Sequence, residues 1–134
     1  MYDLDTNMVA YFFKGMGGVS ERLLATPPAA IAVSAIVAYE LAVGVAKSPE
    51  ATRRSEQLQR FLSVVTVVPF GPAEGQAAAI VRADLEGRGL PIGPLHVLIA
   101  GSALARGATL VTRNTHEFMR VPGLRVEDWF QPGS

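Results

Sequence analysis

The chain has 134 residues, no cysteine, and 12 basic side chains against 12 acidic ones. That length supports one hydrophobic core rather than two ordinary domains, and the missing cysteine excludes disulfides, thiolate catalysis and cysteine zinc sites. Balanced charge excludes a global positive field for nucleic acid, while 49% hydrophobic against 18% charged residues predicts a compact fold with apolar surface left over for an oligomer or a wrapping partner.

Tyr2 to Asp5 reads as a short first strand, and Thr6 or Asn7 is placed to cap a helix through Tyr11, Phe12 and Phe13. Gly15, Gly17 and Gly18 then break it; they lack the spacing of a phosphate-binding loop and read as a turn. The acidic start carries no apolar run ending in a small-residue cleavage site, so no signal peptide is expected and a cytoplasmic home fits. A second helix around Ser20 to Ala25 stops at Pro27-Pro28, and Ala29 to Val33 reads as a buried strand. Ser34 is placed to cap the next helix, which runs to about Ala46. Pro27 to Ala46 has the length of a membrane span, but it holds two prolines and Glu40, a charge costing about 2.5 to 3.5 kcal/mol at mid-bilayer. No membrane segment is expected. Another helix follows from about Glu50 to Leu62, with Arg53, Arg54, Glu56 and Arg60 on its wetter face.

Val64 to Val68 is the third strand. After Pro72 a helix reaches roughly Arg88 before Gly89, and Pro94 opens one that ends at Arg106 and Gly107. Thr109 to Thr112 is a fourth strand, Thr115 to Met119 a helical turn, and Leu124 to Glu127 a last strand. One domain is expected over 1–130, with 131–134 as a flexible C-terminal tail.

Strands alternating with helices predict an α/β sandwich with a mostly parallel sheet, whose ligands gather at the carboxyl ends of the strands. Asp5 ends the first strand and Asn114 follows the fourth. Two long apolar stretches each hold a single ionisable residue: Glu40 is alone between Arg22 and Lys47, and His96 alone between Arg88 and Arg106. Such isolated groups are expensive to bury unless paired or held for chemistry. Three distant segments thus each offer one possible ligand to a common site. Each residue also has a local reading: Asp5 as a helix cap, Glu40 as a buried acid answered by an arginine, His96 as a satisfied core or helix-start histidine, Asn114 as a turn or N-cap residue. Thr112 is a strand-end hydroxyl placed to hold a water at that site. Arg113 is the nearest basic residue, a phosphate contact or a solvated loop charge. His116 and Glu117 read as a short exposed turn, with a water-mediated reach of Glu117 to the site as the lesser alternative, and Trp129 and Phe130 as seals of the core or an interface rather than base-stacking platforms.

The stretches Leu4-Asp-Thr-Asn7, Val33-Ser-Ala-Ile-Val-Ala-Tyr-Glu-Leu-Ala-Val-Gly44, Pro91-Ile-Gly-Pro-Leu-His-Val-Leu-Ile-Ala100, Leu110-Val-Thr-Arg-Asn-Thr-His-Glu-Phe118 and Val121-Pro-Gly-Leu-Arg-Val-Glu-Asp-Trp129 resemble, in order and spacing, the PIN-domain ribonucleases and among them the VapC-type toxins. The resemblance implies a three-layer α/β/α sandwich with a five-stranded sheet, acidic residues that bind Mg²⁺ or Mn²⁺ to cut RNA, and a homodimer silenced by a small VapB-type antitoxin. It puts the antitoxin and dimer contacts near the apolar early helices with Met8, Tyr11, Phe12 and Phe13. A tRNA is the first substrate candidate it suggests. The metal set it implies here is Asp5, Glu40 and His96, with Asn114 in the catalytic group where many members have an aspartate.

His96 departs from the pattern, which has a metal-binding aspartate at this position. The change removes a negative charge and a hard oxygen donor together; Mg²⁺ prefers oxygen, and imidazole suits Zn²⁺, Ni²⁺ or Cu²⁺ better. The expectation is the fold and partners of a ribonuclease toxin with strongly reduced Mg²⁺-dependent activity. Two other readings stay open: a non-catalytic module that binds RNA or antitoxin, and a flavodoxin-like domain binding a phosphate or nucleotide.

Overall fold

The computed structural model describes residues 1–133. Its elements run β1 (Tyr2–Leu4), α1 (Thr6–Lys14), α2 (Val19–Leu24), a 3-10 turn (Pro28–Ala30), β2 (Ile31–Ser34), α3 (Ala35–Ala46), α4 (Ala51–Val64), β3 (Thr66–Val68), α5 (Pro72–Gly87), α6 (Pro94–Arg106), β4 (Thr109–Val111), α7 (Thr115–Phe118) and β5 (Arg125–Glu127). The sheet order is β3-β2-β1-β4-β5 and every pairing is parallel. The expected mostly parallel sheet is therefore wholly parallel, because a helical connection separates every pair of consecutive strands.

The chain winds outward from β1 through β2 to β3, then returns past them to β4 and β5. Right-handed crossovers of that path put helices on both faces of the sheet, a three-layer α/β/α arrangement. The order reverses between β1 and β4, so the crevice at the carboxyl ends of those two strands is where a ligand is best received. Asp5 and Thr112 are the residues that follow them.

Local chemistry explains the boundaries. β2 reads Ile-Ala-Val-Ser and is buried throughout, as a central parallel strand covered on both faces has to be. Its start falls at Ile31 rather than Ala29, because Pro27 and Pro28 set a tight turn in which the Ala30 amide donates to the Pro27 carbonyl at 2.9 Å. α4 continues through Val64 with Leu58 and Phe61 buried, which shortens β3 to an edge strand. Ser34 caps α3 as expected, its hydroxyl accepting from the Val37 amide at 3.2 Å, whereas α1 is capped by Asp5 and not by Thr6 or Asn7.

Helix packing is closest between α5 and α6, where a Cβ on Gly101 would stand 2.6 Å from Ala78 backbone and side-chain atoms. Asp3 of β1, only 4% exposed, receives Arg106 Nη1 on both carboxylate oxygens at 2.6 and 2.7 Å. α3 is apolar along most of its length, yet only Val37 is fully buried and Tyr39 is 58% exposed. At the C-terminus Trp129 is buried edge-on to Tyr2, and the Gln131 amide donates to the Gly17 carbonyl at 2.7 Å. The proposed tail thus starts from a residue tied to the body, and Ser134 lies outside the described residues. Among the described residues no helix is long and apolar enough to cross a membrane.

Candidate active site

Asp5 sits where β1 hands over to α1, 5% exposed. Its Oδ1 accepts from the Thr6 amide at 2.7 Å and its Oδ2 from the Thr112 hydroxyl at 2.7 Å. Burial pushes the Asp5 carboxyl above its ordinary range, opposed by those two donors and His96 and reinforced by the neighbouring negative charge of Glu40. The Thr6 hydroxyl donates to Glu40 Oε1 at 2.7 Å, so one residue holds both carboxylates, through its backbone on one and its side chain on the other.

His96 lies in the first turn of α6 and is engaged elsewhere. Its Nδ1 is 2.8 Å from Glu117 Oε1 and its ring lies 5.0 Å from that of Phe118. Glu117 also accepts from the Gly93 amide at 2.7 Å and, on Oε2, from Asn114 Nδ2 at 2.8 Å. The predicted residues thus form two adjoining groups: Asp5 and Glu40 around Thr6 and Thr112, and His96 and Asn114 around Glu117. The Asn114 amide, donating to Thr112 Oγ1 at 3.0 Å, is the seam between them.

Several local expectations change. Glu40 and His96 are both half-buried rather than enclosed, and the acid answered by an arginine is Asp3. Thr112 bonds Asp5 directly. Glu117, expected in an exposed turn, is the centre of the second group. Its signal was the Asn114-Thr-His-Glu117 spacing, in which the third residue of a helix returns toward the residue that opens it. Arg113 is exposed, but its guanidinium lies 3.7 Å from the Phe130 ring centre.

The Glu117 carboxyl is pushed up by burial, but the Gly93 amide, His96 and Asn114 outweigh this and hold it at about 2. A carboxyl that titrates lower folded than unfolded stabilises the fold fully above its ordinary value of 4.5 and loses that contribution as pH falls toward about 2. The difference in thermal midpoint between this chain and Glu117→Gln is therefore expected to close across that acid window. A difference that stays constant through it in thermal melts would show that the carboxylate charge contributes nothing.

A hard divalent cation calls for several oxygen donors converging on one point. Among the described residues no group of three or more His, Cys, Asp or Glu is arranged to hold a metal ion. Asp5 and Glu40 supply oxygens, while the third position supplies an imidazole whose Nδ1 is already bonded to Glu117. As it stands, the set does not fit a three-carboxylate Mg²⁺ centre.

Residues 2–124 match the family described as PIN domain, and the chain belongs to that family. It is 34% identical over 126 residues to the tRNA(fMet)-specific endonuclease VapC of Shigella flexneri, covering 94% of this chain and 96% of that one. With ribonuclease VapC2 of Rickettsia felis it shares 38% identity over 131 residues, 96% of this chain and 98% of the relative. The crystal structure of VapBC2 from Rickettsia felis, bound to a DNA fragment from its promoter, superposes with a TM-score of 0.87 at 37% identity over 96% of this chain and 98% of that chain. Within the PIN family its relatives are the VapC ribonucleases.

Proposed function

We propose that this chain is the toxin of a toxin–antitoxin pair, an endoribonuclease by descent whose Mg²⁺- or Mn²⁺-dependent cutting of tRNA or another structured RNA is strongly reduced. The observation that carries the reading is the division of the site: Asp5 and Glu40 converge on Thr6, while His96 is paired with Glu117 instead of adding a third hard oxygen. In the competent form of this site Asp5, Glu40 and an acidic residue at 96 would hold the cation, which supplies an activated water and stabilises the leaving oxygen. Thr6 and Thr112 keep the Asp5 carboxylate oriented, and Asn114 fixes Thr112. The names of the relatives, a tRNA(fMet)-specific endonuclease among them, make tRNA the substrate class to test. In Mn²⁺, residual tRNA cleavage is expected to fall a further tenfold or more in Asp5→Asn, in line with loss of a group acting in the transition state; identical residual rates would show that the cleavage is not made by this site.

Antitoxin binding is proposed on the groove between α1, α3 and α4. Ala10, Phe13, Leu41, Val45 and Leu58 line it, Glu40 opens into it, and Arg54 in its wall has a buried Nε without a partner. Together with the half-exposed apolar α3, this is a surface made for a helix or extended peptide. The relatives solved as VapBC complexes support the same partner. A homodimer is proposed as well, read by light scattering at micromolar concentration.

A second reading shares the observation. The His96–Glu117 pair also suits a module that binds RNA or antitoxin without cutting, and restoration of the acidic residue distinguishes the two.

A further inference from the structure

Under the ribonuclease reading, on which this inference rests, a net-neutral chain with carboxylates at its site has to receive a polyanion. Asp5, Glu40 and Glu117 all repel phosphate, and His96 is committed to Glu117. The segment that closes the crevice is Thr112-Arg113-Asn114: Thr112 bonds Asp5, and Asn114 bonds both Thr112 and Glu117. Arg113 lies between these two site residues, one Cα step of about 3.8 Å from each. It is exposed, and among the described residues it makes no ion pair.

Its guanidinium is nevertheless held. It stands 3.7 Å from the ring centre of Phe130 and 5.8 Å from that of Tyr11, and those two rings meet edge to face at 4.8 Å. Phe130 is seated in turn on Gly17, where a Cβ would stand 2.3 Å from the ring and where φ is +69°. The Gln131 amide bonded to the Gly17 carbonyl clamps that seat. An arginine stacked on an aromatic face keeps its planar donor fork and loses less freedom on gripping a phosphate than an unsupported side chain. Because Phe130 faces Arg113 and rests on Gly17, it serves as a buttress and not as a platform for a base.

We propose that Arg113 is a phosphate-binding residue of this chain, with Phe130 and Gly17 as its positioning residues, and that it grips the sugar–phosphate backbone of an RNA loop beside the Asp5–Glu40 pair. Such a contact gives affinity and register and carries little sequence information.

The test is binding of a fluorescein-labelled tRNA stem-loop to the full chain, followed by anisotropy in EDTA across a salt series. Arg113→Ala is expected to weaken binding about tenfold and to reduce the log Kd against log salt slope by roughly 0.7 to 1, one phosphate's worth of counterions. Phe130→Leu is expected to weaken binding severalfold with the slope unchanged, since charge stays and orientation goes, and Phe130→Tyr to restore it. Arg113→Lys should keep the slope and recover only part of the affinity. An unaltered affinity and slope in a folded Arg113→Ala chain overturns the assignment, even if Phe130→Leu fails to fold. So does a loss of antitoxin-peptide binding with RNA binding intact, which would make Arg113 a partner contact. In a His96→Asp chain that cuts tRNA, a null result at Arg113 removes this inference alone; a chain that neither binds nor cuts RNA removes the ribonuclease reading with it.

Discussion

His96→Asp is expected to raise Mg²⁺-dependent cleavage of tRNA by on the order of a hundredfold, about 2.7 kcal/mol of barrier. Three changes act in the same direction. A carboxylate replaces an imidazole, so the third donor becomes a hard oxygen suited to Mg²⁺. The set with Asp5 and Glu40 gains a negative charge, and Glu117 loses the ring that now occupies its Oε1. The fold should tolerate the change. Position 96 is in the first turn of α6, which has no acidic residue there, and an acid at a helix start is worth about 0.3 to 1 kcal/mol, offsetting part of the lost contact with Phe118. The measurement is a time course of tRNA cleavage in Mg²⁺ by both chains, each freed of copurifying nuclease. Two folded chains that leave the tRNA intact point to the non-cutting module. Equal cutting by both shows that His96 serves adequately as it is.

Gly101→Ala is expected to lower stability by about 3 kcal/mol, the upper end of what overpacking a close helix contact costs. The new methyl would meet Ala78 backbone atoms at 2.6 Å, and a backbone cannot rotate aside as a long side chain can. Helix propensity works against this loss, since alanine is better than glycine in a helix interior by about 1 kcal/mol. Gly44 of α3 isolates that opposing contribution, because a Cβ there meets nothing within 4 Å. Gly44→Ala should therefore stabilise by about 0.5 to 1 kcal/mol. Urea unfolding of both variants checks the pair. Equal and opposite shifts are not required, but a stabilised Gly101→Ala chain would show that α5 and α6 can move apart at little cost.

The division between features legible in the chain and features hidden from it follows physical lines. The alternation of strand and helix was legible because Pro27-Pro28, Ser34, Gly89, Pro94 and Gly107 punctuate the apolar runs. The rim position of Asp5 was legible too, since a carboxylate at the end of a buried strand in a parallel sheet has few other places to be. The role of Glu117 was legible only in the spacing to Asn114 three residues back; its other partners, His96 and Gly93, lie 21 and 24 residues back, and only the return of α7 to the start of α6 brings them within reach. Glu40 misled in the opposite direction. An apolar helix suggested enclosure, but α3 keeps much of its surface open. The buried acid answered by an arginine is Asp3, hidden in an acidic opening segment and bonded to Arg106 across 103 residues, a pairing that no local pattern carries.

The central place of β1 sets the order in which this molecule can come into being. Residues 2–4 are made long before one of their two neighbours in the sheet, β4, residues 109–111. Until β4 is made, β1 has one open edge, Arg106 has not yet reached Asp3, and Thr112 cannot hold Asp5. Pairings this distant in sequence close slowly, since a long loop must be ordered before any contact rewards it. An assembled site is thus withheld from every incomplete copy: a chain stalled before Thr112 carries Asp5, Glu40 and the residues of the α1–α3–α4 groove but lacks the hydroxyl that holds Asp5.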